Sequence, residues 1–204
     1  DEGLVGSEMC IRDSNNCMKD YDGFDHNAQT LRILTTLEER YPLFNGLNLT
    51  WETLEGIAKH NGPLKDPHIS IKHFNKIYDL GLNTFPGLEA QIASLSDDIA
   101  YNNHDIDDGF RAGFINLDDL KSIELLANII DQISLEFKQI DDHMIVKELI
   151  RRLIGLMVDD LITETKKNLN TFSPKNVEDI RGNLKPVASC LLYTSPSPRD
   201  PHLS

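Results

Sequence analysis

The chain has little cysteine, a single tryptophan, few basic residues and no long apolar run. Three cysteines, Cys10, Cys17 and Cys190, in 204 residues are too few and too scattered for a disulfide framework, a zinc ribbon or a zinc knuckle. No apolar stretch approaches the roughly 20 residues that a membrane helix needs, and the interior carries neither a leader peptide nor a lipidation motif. A reducing, cytoplasmic setting without a membrane partner is therefore expected. Twenty Lys and Arg against 33 Asp and Glu give a formal charge of −13. Affinity for nucleic acid comes from Lys and Arg that neutralise phosphates, so no nucleic-acid partner is expected. A small nucleotide stays compatible with the charge where a divalent cation and a few placed cations screen its phosphates.

What remains is ordinary globular material, 40% apolar and 26% charged, enough for one domain with a core. Its two ends read differently. Residues 5–14 and 190–200 resemble translated adapter sequence, and segments of that kind are set aside from fold reasoning. The division expected is a flank over 1–14, a helical domain over 15–189 and an adapter-like or disordered tail over 190–204. The first fourteen residues hold four acids and one arginine, which leaves −10 for the rest.

Between the flanks the apolar spacing is helical. Ala28, Leu31, Ile33, Leu34 and Leu37 predict a helix from His26 to Tyr41, stopped by Pro42. Thr50 or Asn48 caps a helix from Trp51 to about His60, ended by Asn61-Gly62-Pro63, and a short helix follows from Ser70 to Tyr78. Pro86 suits the first turn of a long helix that runs toward Arg111. Further helices are predicted over Leu120 to Phe137 and Met144 to Leu169, with a last one capped by Ser173-Pro174. The wide apolar face of the Met144 helix, including Ile150, Ile154, Val158 and Ile162, reads as sunk in a bundle. No segment alternates with period two long enough for a convincing strand, and no repeat is seen. The fold class expected is all-α, an irregular helical bundle.

Chemistry concentrates between Ser94 and Gly109, where five aspartates, His104 and Tyr101 fall within a predicted helix. Positions four apart share a helical face, so Asp97, Tyr101 and Asp105 form a column of two carboxylates flanking a phenol. A solvated acidic face is one reading of such a run. A calcium loop around Asp105-Ile-Asp107-Asp108-Gly109 is another, but its register fails, because starting at His104 puts Ile106 at position three and apolar residues downstream where ligands belong. The third reading is a cation held beside a polyhydroxylated or phosphorylated ligand.

The Asp-x-x-x-Tyr-x-x-x-Asp spacing resembles the deoxyguanosine triphosphate triphosphohydrolase family of HD-domain phosphohydrolases. Two further stretches extend that resemblance, Gly23-Phe-Asp-His26-Asn-Ala-Gln29-Thr-Leu-Arg32 and Gly46-Leu-Asn-Leu-Thr-Trp51 through Lys59-His60-Asn61-Gly62-Pro63. It implies a bundle of the HD-domain type and hydrolysis of a deoxynucleoside triphosphate, dGTP first, to deoxynucleoside and triphosphate. By the same resemblance Asp97 is the last ligand of a divalent metal, Mg²⁺ or Mn²⁺ or another transition metal, while Tyr101 and Asp105 contact phosphate and sugar. His26 would lie near the triphosphate as the catalytic candidate, although a lone histidine also serves structure. Lys59 and His60 are candidate phosphate contacts, or simply cations complementing a helix C-terminus. Arg152, inside an apolar helix, needs an anion: a phosphate by resemblance, or an internal Asp or Glu. Trp51 is read as core packing rather than a base-stacking platform. The family's first metal-binding histidine and its His-Asp dyad precede the segment matched from Asn15, so the N-terminal part of the domain is expected to be missing. On that reading the chain alone is inactive. A nucleotide-binding or regulatory module without hydrolysis, or another HD-family phosphohydrolase, is the alternative, and the resemblance favours a homo-oligomer.

Overall fold

The computed structural model describes residues 14–21 and 23–192. The adapter-like stretches expected at 1–14 and 190–204 lie outside the described residues, except for Ser14 and residues 190–192. The helices named among the described residues are α1 His26–Arg32, α2 Trp51–Ala58, α3 Ile69–Ile77, α4 Leu88–Arg111, α5 Leu117–Lys121, α6 Glu124–Glu136, α7 Asp142–Phe172 and α8 Val177–Arg181. The fold is all-α, and the one extended pairing among the described residues is an isolated bridge between Tyr41 and Phe44. Among the described residues no helix is long and apolar enough to cross a membrane. Two compact units are present: one runs to Ser94 and includes Asn168–Ala188, the other comprises Leu95–Lys167 and the residues from Ser189.

In the first unit, Asp25 opens α1 by accepting the Ala28 N–H at 2.7 Å, an N-cap that satisfies one orphan donor. The helix then stops far short of Tyr41. The Thr30 and Thr35 hydroxyls donate to the carbonyls of His26 and Leu31, four residues back, a bond that bends helices. A π turn at Ile33–Leu37 follows, in which the Glu38 N–H reaches the Ile33 carbonyl five residues back. The returning chain covers the freed carbonyls: Gly46 N–H donates to Glu38 at 2.9 Å and Leu47 N–H to Leu34 at 2.8 Å. Gly46 sits at φ +71°, and a Cβ there would lie 2.5 Å from the Leu34 carbonyl oxygen. Only a residue without a side chain fits.

Thr50 caps α2 through the Thr53 N–H. Its apolar side joins Ala28, Leu31, Leu54, Ala58, Ile71 and Leu80 in one buried cluster, with Trp51 and Phe74 packed against it. Each fully buried Leu or Ile contributes about 1.5–3 kcal/mol. The Trp51 indole N–H donates to the Asp79 carbonyl at 2.7 Å, so the ring is anchored as well as packed. Asn176, not Ser173-Pro174, caps α8: it accepts the Asp179 N–H at 3.1 Å while the Asp179 carboxylate accepts the Asn176 N–H at 3.3 Å. That reciprocal box satisfies two orphan donors and sets the helix start.

The second unit departs from the sequence reading in two places. The helix expected over Leu120 to Phe137 is two helices, α5 and α6. The Asn116–Asp119 capping box fixes a short first helix, the Ser122 hydroxyl donates to the Asp119 carbonyl at 2.6 Å, and Ile123 is extended at φ −97°, ψ 115°. The second departure concerns α7. Leu149, Leu153, Met157 and Leu161 are buried along it, but Ile154, Val158 and Ile162 are 39%, 39% and 45% exposed. Part of the face assigned to a bundle interior therefore lies at the surface. Packing also continues beyond Ser189: Cys190 is buried with its Sγ 3.7 Å from the Met157 carbonyl, and Leu192 N–H donates to Asp160 at 3.0 Å.

Candidate functional site

Helix α4 is unbroken over its 24 residues. Asp97, Tyr101 and Asp105 therefore follow one another on a single strip, their directions rotating by only about 80° over eight residues. Asp97 and Tyr101 are half-buried and Asp105 is exposed. The stretch from Asp105 to Gly109 is helical too, which leaves no calcium loop. Packing fixes the strip's orientation on the rod, because Ile99 and Asn103 are buried on another side of the same helix. Chemically, the strip presents carboxylates that accept hydrogen bonds from sugar hydroxyls and a phenol that can donate to an anionic oxygen. Among the described residues no group of three or more His, Cys, Asp or Glu side chains is gathered so as to hold a metal ion. Mg²⁺ requires near-octahedral oxygen coordination. The described side chains around Asp97 do not make such a site by themselves.

The other candidates are dispersed. His26 is the first residue of α1, half-buried, and its carbonyl accepts the Thr30 hydroxyl. His60 follows α2 and lines a cavity of about 700 Å³ in the first unit together with Glu52, Glu55, Glu89 and Arg181. Lys59 is placed differently from the phosphate contact expected of it. It is fully buried, its ammonium 2.7 Å from Glu55 and donating to the Gly81 carbonyl, the Thr84 hydroxyl and the Phe85 carbonyl at 3.1–3.2 Å. A cation sunk in a core needs such partners, and these commit it to the fold. Arg152, in the second unit, likewise finds its anions inside the protein. Its Nε donates to Glu148 at 2.8 Å and its Nη2 to Glu136, so the internal acid supplies what a phosphate would have. With Arg151 and Arg152 both donating to it, Glu148 is held down to about 2.

Sequence reasoning missed the largest electrostatic feature of the first unit. Arg181 Nε and Nη2 clasp the two Glu55 carboxylate oxygens at 2.9 Å each, while Lys59 binds the same carboxylate from the turn below. Burial opposes charge on Glu55, but the bonds from Arg181 and Lys59 outweigh it and keep its carboxyl below the ordinary value. Burial is the main influence on Lys59 and draws its ammonium below the usual lysine value, with Glu55 acting in the other direction. The Arg181 guanidinium also lies 4.6 Å from the Trp51 ring centroid, within cation–π range. Half of this network was readable, since Glu55 and Lys59 are one helical turn apart. Arg181 lies 126 residues from Glu55, and no local pattern announces it.

Comparison with known proteins gives a consistent result. No family profile matches the chain. Over 180 residues, 85% of its length, it is 46% identical to the deoxyguanosinetriphosphate triphosphohydrolase-like protein of Parvibaculum lavamentivorans. It is 49% identical over 176 residues to a protein of that name from a Bradyrhizobium species, and 49% over 170 residues to one from a Caulobacter species. The matched region is 46%, 45% and 43% of those relatives, so the chain spans a little under half the length of the curated relatives it matches.

Proposed function

We propose that this chain is part of a phosphohydrolase that cleaves a deoxynucleoside triphosphate, dGTP foremost, into deoxynucleoside and inorganic triphosphate. The observation that carries the reading is the Asp97–Tyr101–Asp105 strip on one unbroken helix, within a region similar to proteins named as triphosphohydrolase-like. In the reaction, water adds to the α-phosphorus as its bond to the 5′-oxygen breaks; the 5′-oxygen leaves on the deoxynucleoside and the three phosphates leave together. Residues of this chain bind and orient. Tyr101 donates its phenolic hydrogen bond to a phosphate oxygen and Asp105 accepts one from the sugar, which aligns the α-phosphorus for attack. Asp97 is assigned one metal-ligand position, the remaining ligands lying outside the described residues.

The test uses the longer protein that contains this sequence. Incubated with dGTP and Mg²⁺ or Mn²⁺, it releases deoxyguanosine and triphosphate in equal amounts. Asp97→Ala abolishes release, and Tyr101→Phe and Asp105→Asn raise KM. Formation of dGMP and pyrophosphate, or unchanged turnover in Asp97→Ala, overturns the reading.

A further inference from the structure

The second unit contains a groove of about 300 Å³ between α4 and α7, on a different side of α4 from the acidic strip. Its apolar lining comes from Ile99 on α4 and from Ile150, Ile154 and Val158 on α7. The rest is polar: Ser96, Asn103, His104 and Asp107 from α4, and Lys147 from α7. Asn103 is 1% exposed and donates its amide to the Ile99 carbonyl at 2.7 Å, while its Oδ1 accepts no hydrogen bond. Asp107, one turn on, faces Arg111 through Oδ2 at 3.2 Å, while its buried Oδ1 has no donor. Buried acceptors are almost always paired in folded proteins. Two of them in one groove point to a ligand that brings the donors with it.

The neighbouring charges decide what kind of donor this is. A simple cation would answer both acceptors, but it would meet Arg111 and Lys147 around the one carboxylate of Asp107. A simple anion would suit Lys147 and leave both acceptors bare. A zwitterion serves both sides, because an ammonium carries three N–H donors and a carboxylate only accepts. Ligand pockets run from roughly 300 to 1,000 Å³. This groove stands at the small end of that range and suits one amino acid rather than a chain of them. Its isoleucine and valine lining then favours an apolar side chain, since apolar surface gains by leaving water.

We propose that the groove binds a free α-amino acid with an apolar side chain. The ammonium donates to Asn103 Oδ1 and Asp107 Oδ1, the carboxylate accepts from Lys147, and the side chain lies against Ile99, Ile150, Ile154 and Val158. The proposal does not rest on the hydrolytic reading, and its test needs no turnover.

The experiment titrates the full 204-residue chain with leucine by calorimetry, beside leucinamide, which lacks the carboxylate, N-acetylleucine, which lacks the ammonium, and glycine, which lacks the side chain. Leucine is expected to bind saturably at one site, and each of the other three about tenfold more weakly or worse. Asn103→Leu narrows the gap between leucine and N-acetylleucine while the chain melts no lower than before, because an unanswered acceptor has been removed. Lys147→Met closes the gap between leucine and leucinamide. Lys147 is exposed, so its replacement keeps the test decisive even where Asn103→Leu disturbs folding. No saturable binding of leucine, equal binding of the four probes, or gaps unmoved by both variants would each overturn the proposal. So would loss of leucine binding in the longer protein that contains this sequence, since its own polypeptide or a second copy would then fill the groove.

Discussion

Glu55 and Asp105 are both carboxylates on amphipathic helices, and the molecule uses them in opposite ways. Glu55 is 1% exposed and held by a lysine and an arginine; Asp105 is exposed on a strip that carries a second acid and a phenol. In the first unit charge is turned inward and consumed by the fold. In the second, the strip keeps acidic groups near solvent, where a ligand can reach them. Residue type alone does not separate these uses; burial does, and the burial of Glu55 is met by Lys59 one turn away and by Arg181, 126 residues on.

The sharpest way to break the contrast is to remove one member of the buried network. Glu55→Gln leaves the buried Lys59 without its counter-charge and Arg181 with Glu178 alone, and is expected to cost about 3–5 kcal/mol, read as a lower midpoint in urea followed by circular dichroism. Acid should do the same more gradually. Glu55 has its carboxyl below the ordinary value, so its stabilising contribution is complete at neutral pH and fades as pH falls below the usual carboxylate range. Glu148, held near 2, follows the same sign between about pH 4.5 and 2, but more weakly, because exposed pairs are screened by solvent. A melting temperature that stays flat from pH 7 to 3 would contradict both. Next in size is Gly46→Ala. At φ +71° with the Leu34 carbonyl 2.5 Å from the new methyl, it is expected to cost about 1–3 kcal/mol. Smallest is Asp105→Asn. Removing one negative charge from an exposed acidic strip should change stability by no more than about 0.5 kcal/mol while raising KM in the longer protein. A large loss of stability there would mean that the strip serves the fold after all.

Much of the architecture was legible because it is local. Thr50 before Trp51, the 3.6-residue spacing of Leu149, Leu153 and Leu161, and the spacing of the α4 acids each encode a helix, cap or face in neighbouring residues. Where the reading failed, competition decided the outcome. Threonine hydroxyls that bond back to Leu31 and His26 ended α1 early, and Asn176 took the helix start expected at Ser173-Pro174. The strip of Asp97, Tyr101 and Asp105 on α4 was legible because it too is local. Lys59–Glu55 and Arg152–Glu148 are pairs one helical turn apart, and the internal acid was among the partners expected for Arg152; what no local pattern announces is Arg181 beside Glu55 and Glu136 beside Arg152.

Trp51 is the chain's single tryptophan, and Arg181 stands over its ring at 4.6 Å. Its fluorescence is therefore a reporter confined to the Glu55 network and blind to α6 and most of α7. An emission change that precedes the loss of helical ellipticity during denaturation would reveal that the two units come apart in separate steps, since coincident probes are the mark of a single cooperative transition. One indole thus gives the first unit an optical signature of its own without a label.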